Sequence, residues 1–228
     1  MNILALDTSS AVASVAVLKD GVLAAECVIN NGKTHSQIIV SMISDVLKKT
    51  GISLEQIDVF STALGPGSFT GLRIGVATAK SFAQAMDKKI IGISSLDGLN
   101  ANVACNKDLV VCPIVDARRG NVYNAIYKND IKLVNDRLIS LEDLLKELNG
   151  RKTIFLGDGI FKHREKIQET MGDNALFVPE YLANQRASSI AHLANLRAVD
   201  DDFDNLYTVA PIYVRSSQAE RELEGISD

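Results

Sequence analysis

The chain has 228 residues, 46% hydrophobic and 23% charged, enough to bury a substantial core in one large domain or two small ones and too apolar for intrinsic disorder. Its formal charge of −4 supplies no global basic field, which disfavours autonomous capture of a nucleic-acid backbone. MNILALDTSS lacks the basic region and apolar length of a signal peptide, and no long apolar run occurs, so a cytoplasmic protein with no membrane partner is expected.

In chain order, the apolar run at 3–6 predicts a short strand, and 12–18 and 22–29 flank Asp20-Gly21 as a β-hairpin. Thr34-His35-Ser36-Gln37 has capping-box spacing and opens a helix, Asp45 and Lys49 stand at i,i+4, and Gly51 sits where a glycine stop belongs. A strand at 59–63, a helix over 70–86, a strand at 90–93 and a helix capped at Ser95 follow. After Asn106-Lys107-Asp108 the order restarts with a strand at 109–115, then a hairpin of 122–127 and 131–134 around Lys128-Asn129-Asp130. A helix over 140–148 has Asp143 at its capping-box position. A strand at 153–156, a helix over 161–171, a strand at 176–178 and a helix over 188–198 complete the series. The order β-β-β-α-β-α-β-α thus occurs twice. A hairpin followed by alternating helices and strands implies a mixed sheet covered by helices, so the fold class is α/β with two layered halves. A ligand of paired lobes belongs in the cleft between them.

Few residues read as metal or redox chemistry. Cys27, Cys105 and Cys112 are odd in number and lack C-x-x-C spacing, which fits ordinary reduced thiols. His35, His163 and His192 are far apart, and no pair has helical ligand spacing.

"GPGSFTGLRIG", residues 65–75, precedes the 70–86 helix. It has neither the lysine and glycine spacing of a Walker loop nor the G-x-G-x-x-G of a dinucleotide fold, and Pro66 removes one amide donor. Ser68 or Thr70 can cap the helix, whose first amides can receive an anion. Arg73 opposes the helix dipole there, so a negative neighbour is expected, a carboxylate as readily as phosphate. Gly71, Gly75, Ala79 and Ala83 recur every four residues and form a face of small side chains. That face suits either a partner or the chain's own sheet. On the preceding helix, Ile38, Ile39, Val40, Met42, Ile43, Val46 and Leu47 spread over half the circumference or more. Surplus apolar surface of that kind is what a protein partner covers, and in isolation a second copy should cover it, so a homodimer is expected.

"ILALDTS", "GPGSFTGLRIG", "ISSLDGL", "DARRGNVY" and "PIYVR" resemble, along nearly the whole chain, the TsaB (YeaZ) family for tRNA threonylcarbamoyladenosine biosynthesis, within the actin-like ATPase superfamily. The resemblance implies two tandem ribonuclease-H-like (actin-like ATPase) lobes, divided here as 1–105 and 106–228. It implies a noncatalytic scaffold that binds the catalytic subunit TsaD as a heterodimer, with the ATPase TsaE joining and tRNA met only through the complex. The expected partner-binding residues are His35, Ile38, Ile39, Met42, Ile43 and Val46 on one helix and Gly71, Gly75, Ala79 and Ala83 on the next.

This sequence departs from related catalytic patterns. Ser95 and Leu99 stand at the two histidines of the related subunit's metal motif, and neither replaces imidazole, so no metal site and no cofactor are expected. The D-x-G turns of actin-like nucleotide sites read Asp7-Thr8-Ser9 and Asp116-Ala117-Arg118, and Gly157-Asp158-Gly159 sets a carboxylate in the adenosine-side loop. With Ser68 and Arg73 these residues form a vestigial nucleotide or anion site. Asp7 and Asp116 can instead serve their own turns. Arg118 and Arg119 suit tRNA phosphate, a partner's carboxylates or internal ion pairs. An autonomous ATPase or metallopeptidase-like hydrolase is the alternative function, and an RNA-binding module a further one. The polar tail 216–228 reads as a solvated end.

Overall fold

In a computed structural model the described residues are 1–103 and 109–214. Cys105, the 106–108 stretch, the 105/106 division, Arg215 and the polar tail lie outside them.

The first half runs β1 (Asn2–Asp7), β2 (Ala13–Lys19), β3 (Val22–Ile29), α1 (His35–Thr50), β4 (Val59–Gly65), α2 (Phe69–Ala85), β5 (Lys89–Ser94) and α3 (Ser95–Ala101). The second runs β6 (Val110–Asp116), β7 (Asn121–Lys128), β8 (Ile131–Ser140), α4 (Leu141–Glu147), β9 (Thr153–Leu156), α5 (Gly159–Met171), β10 (Ala175–Phe177), α6 (Glu180–Ala183) and α7 (Ala187–Val199). Each half builds one five-stranded sheet, ordered β3-β2-β1-β4-β5 and β10-β9-β6-β7-β8. In both, an antiparallel meander of three strands continues into two parallel strands. Strands β1 and β6 hold equivalent central places, and each ends on an aspartate, Asp7 and Asp116. The expected α/β class is present, and the twofold element order holds apart from one added short helix, α6, in the second half.

Burial follows from position. Successive side chains of a strand face opposite ways, so β1, covered on both faces, is apolar nearly throughout. Leu4 and Leu6 pack beneath α1 and α2 with Ile39, Met42, Phe60 and Ala79. Ile3 and Ala5 pack beneath α7 with Ile91, Ile190 and Ala194. Strand β3 is an edge and leaves Val22 and Val28 exposed.

Four expectations change. First, Ile38, Ile39, Met42, Ile43 and Val46 are all buried in the chain's own core, and of the wide apolar arc on α1 only Val40 is exposed, at 58%. Two neighbours, the sheet below and α2 beside it, divide that arc. Second, Gly71, Gly75, Ala79 and Ala83 face inward. A Cβ on Gly71 would collide with the Thr8 carbonyl oxygen, and one on Gly75 would lie 2.5 Å from Thr8 Oγ1. The small residues let α2 settle onto the end of β1. Third, α7 and the chain up to 214 return to the first sheet, because α7 supplies the apolar cover of its second face. A cut at 105/106 therefore separates the two sheets but misassigns α7. Fourth, Thr34 makes no side-chain cap, whereas Gly51 does take the left-handed conformation at φ 67° and Ser68 Oγ does accept the Gly71 N–H at 3.2 Å.

The lobes are tied together away from the cleft. Leu96 and Leu99 of α3 join the core of the second sheet. Ser94 Oγ donates to Asp136 Oδ2 (2.6 Å), Tyr127 Oη donates to Asp97 Oδ1 (2.7 Å), and Lys132 Nζ bridges Asp97 (2.9 Å) and Asp136 (2.6 Å).

Candidate functional site

The ends of β1 and β6 approach a cleft of about 820 Å³ between the lobes. Ser9, Ser10, His35 and Ser68 line one wall, and Asp116, Arg118, Tyr123 and Asp158 line the other. Lys33, Tyr123 and Tyr213, which sequence reasoning did not single out, also face it. Of the expected site residues, Asp7, Thr8, Arg73, Gly157 and Gly159 do not line it.

Asp7 lies wholly within the protein. Its Oδ1 accepts the Ser9 N–H (2.8 Å) and Ser9 Oγ–H (2.6 Å), a turn that closes on its own aspartate. Burial pushes its carboxyl up to about 6, against the lowering effect of the Ser9 bonds. The start of α2 is laid over that turn. Thr8 Oγ1 donates to the Gly71 carbonyl (2.8 Å), Ser68 N–H donates to the Ser9 carbonyl (2.7 Å), and Gly67 has no room for a Cβ against that same oxygen. Thus Ser68 N–H, one of the unsatisfied donors at the helix start, is taken up by the protein's own turn.

The second lobe shows the same economy. Asp116 receives Lys162 Nζ (3.0 Å), His163 Nε2 (3.3 Å) and the Arg118 N–H (3.3 Å). Burial opposes ionisation, but these donors outweigh it and hold the carboxyl below the usual range. Asp158 accepts the Asp116 N–H at 3.0 Å, and its burial, partly offset by that bond, raises its carboxyl. Gly157 and Gly159 press against the Ile114 carbonyl of β6, which explains both glycines without a ligand. Arg118 and Arg119 hold left-handed backbone, φ 65° and 53°, in the β6–β7 hairpin turn. Few side chains accept that conformation cheaply.

His35 donates Nε2–H to the Ser10 carbonyl (2.7 Å), tying the start of α1 to the β1–β2 turn. Among the described residues no carboxylate pairs with Arg73, contrary to the expectation for a cation at a helix start. Its Nε–H donates to Tyr213 Oη (3.0 Å) and its guanidinium lies 4.1 Å over the Phe69 ring. Ser95 and Leu99 are fully buried on α3. Among the described residues no group of three His, Cys, Asp or Glu side chains could hold a metal ion, and no helix is long and apolar enough to cross a membrane.

A family model described as TsaD, tRNA N6-adenosine threonylcarbamoyltransferase, matches residues 26–223. The tRNA threonylcarbamoyladenosine biosynthesis protein TsaB of Bacillus subtilis is 33% identical, over 96% of each chain. YeaZ from Pseudomonas aeruginosa superposes with a TM-score of 0.79 at 23% identity, over 93% of this chain and 99% of that one. The activator of 2-hydroxyisocaproyl-CoA dehydratase from Clostridium difficile, solved with bound ADPNP, does so with a TM-score of 0.57 at 12% identity, over 93% and 100%. The fold is therefore the two-lobed one of the actin-like ATPases.

Proposed function

The chain belongs to the TsaB (YeaZ) family of tRNA threonylcarbamoyladenosine biosynthesis proteins, within the wider TsaD family, and on that premise we propose that it is a noncatalytic scaffold of the tRNA-modifying complex. The observation that carries this reading is the state of the two equivalent aspartates. Asp7 is sealed beneath α2, and the Asp116 carboxylate, although it borders the cleft, is already engaged by Lys162, His163 and the Arg118 N–H, so on this reading neither serves to activate water or hold a metal-bound phosphate.

On this reading α1 and α2 dock TsaD with their outward faces, Gln37, Val40, Ser41 and Ser44 on one helix and Thr70, Ala77 and Ser81 on the other. The residues expected at the interface from sequence support that face from below. TsaE joins the heterodimer, tRNA is met through the complex in the cytoplasm, and the free chain pairs with a second copy. Light scattering of the protein mixed with its own TsaD tests this. Val40→Arg and Ala77→Arg should lose the complex yet unfold at the wild-type temperature. Wild-type assembly of both variants would remove the docking face, and ATP turnover abolished by Asp7→Ala would overturn the noncatalytic role.

A further inference from the structure

Two motifs 140 residues apart meet at the start of α2, where Phe69 and Tyr213 border the cleft and Arg73 stands outside it, exposed. Phe69 and Arg73 come from "GPGSFTGLRIG" and Tyr213 from "PIYVR". The segment up to 214 runs along α2 as a strap: Lys80 Nζ donates to the Val209 carbonyl (2.9 Å), and Ile212 N–H donates to the Leu64 carbonyl (2.8 Å). This lays Tyr213 on Phe69, with ring centroids 4.2 Å apart. The Arg73 guanidinium covers Phe69 at 4.1 Å, and Tyr213 Oη receives its Nε–H.

Val209 of the strap joins the core, but Phe69, Arg73 and Tyr213 do not. Tyr213 is 41% exposed, Arg73 is exposed and Phe69 only half-buried. The arginine sits in the first turn of α2, where a cation opposes the dipole. No carboxylate pairs with it among the described residues, whereas Arg137, Arg186 and Arg197 all have one. Its Nε is spoken for by Tyr213, its guanidinium carbon lies over the Phe69 ring, and among the described residues no hydrogen bond uses its two terminal nitrogens. A guanidinium held in that way is organised for a planar, bidentate acceptor.

We propose that Arg73, clamped by Phe69 and Tyr213, anchors the docking face by taking an aspartate or glutamate carboxylate from a helix of the catalytic subunit. The inference rests on the scaffold reading above. The surroundings select a protein helix over RNA. Thr70, Ala77 and Ser81 beside the arginine are small and uncharged, so a second helix can come close enough for a short acidic side chain to reach. A phosphate backbone needs a row of cations, and among the described residues this side of α2 offers only Arg73 and Lys80, the second already donating to the Tyr207 and Val209 carbonyls. Stacked arginines are typical of the few residues that dominate an interface.

The test is calorimetric titration of the catalytic subunit into wild type, Arg73→Gln, Arg73→Lys and Tyr213→Phe at low and high salt. Arg73→Gln should weaken binding about 10- to 100-fold and flatten its salt dependence, with no change in melting temperature. Arg73→Lys should recover only part, because an ammonium lacks the fork. Tyr213→Phe keeps the ring but frees Nε, for a loss of roughly 5-fold. Wild-type affinity and salt dependence in Arg73→Gln would overturn the anchor while leaving the scaffold intact. No binding by the wild type would overturn both. If Arg73→Gln leaves the heterodimer unchanged but weakens tRNA binding by the assembled complex, the acceptor is phosphate and the proposal fails.

Discussion

Gly75→Ala tests whether the small-residue face of α2 serves the chain's own sheet. Alanine is favoured over glycine in a helix interior by about 1 kcal/mol. Against that gain, the new methyl would stand 2.5 Å from Thr8 Oγ1 and 3.1 Å from Thr62 Oγ1. Overpacking of that kind costs about 1–3 kcal/mol, and moving Thr8 also breaks its bond to the Gly71 carbonyl, for about 1 kcal/mol more. The net expectation is a loss of about 1–3 kcal/mol, a melting temperature lowered by roughly 3–10 °C for a chain of this size. Thr8→Ala removes the closer oxygen, so adding Gly75→Ala to it should cost little. A double-mutant cycle by denaturant unfolding should therefore show coupling of about 1 kcal/mol or more between two residues far apart in sequence. Additive effects, or a Gly75→Ala protein more stable than wild type, would refute the close packing of α2 on β1.

Asp7 offers a pH test of opposite sign to an ordinary surface acid. Because burial raises its carboxyl from 3.8 to about 6, the folded chain holds the proton more tightly than the unfolded one, and its contribution to stability falls as pH rises through that window. Asp7→Asn, which retains an acceptor for Ser9, should stabilise the protein on the order of 2–3 kcal/mol above the window and little below it; an equal effect at both ends would exclude the buried ionisation. Lys132→Met leaves Asp97 and Asp136 facing each other without their shared cation, and thermal melting should report a loss of about 1–3 kcal/mol, with an unchanged melt denying the inter-lobe tie any weight. Arg118→Gly relieves a side chain at φ 65°, and a gain of about 1 kcal/mol is expected in the same assay; earlier melting would contradict the left-handed turn.

Much of the architecture was legible because its signals are local. Strand and helix periods, Asp20-Gly21 and Lys128-Asn129-Asp130 as turns, Gly51 as a helix stop and Ser68 as a cap are statements about neighbours in the chain, and the repeated order follows from them. The same signals misled where they met tertiary structure. A broad apolar arc on α1 and a small-residue stripe on α2 say that something must cover those faces, and either a sheet or a partner satisfies the rule. Only the packing of α2 onto Thr8 and Thr62 decided it.

The candidate site divides in the same way. The aspartates at the ends of β1 and β6 were visible as strand-end residues, and Ser9, two positions from Asp7, belongs to a turn that local reasoning anticipates. Lys162 and His163 on Asp116, Tyr213 on Arg73 and the return of α7 to the first sheet were not visible, since each joins residues separated by 46 to more than 100 positions. Short-range propensity determines which elements form and where they stop. What neutralises an aspartate, or leaves an arginine stacked on two aromatic rings and facing outward, is determined by the sheet order that sets those elements side by side.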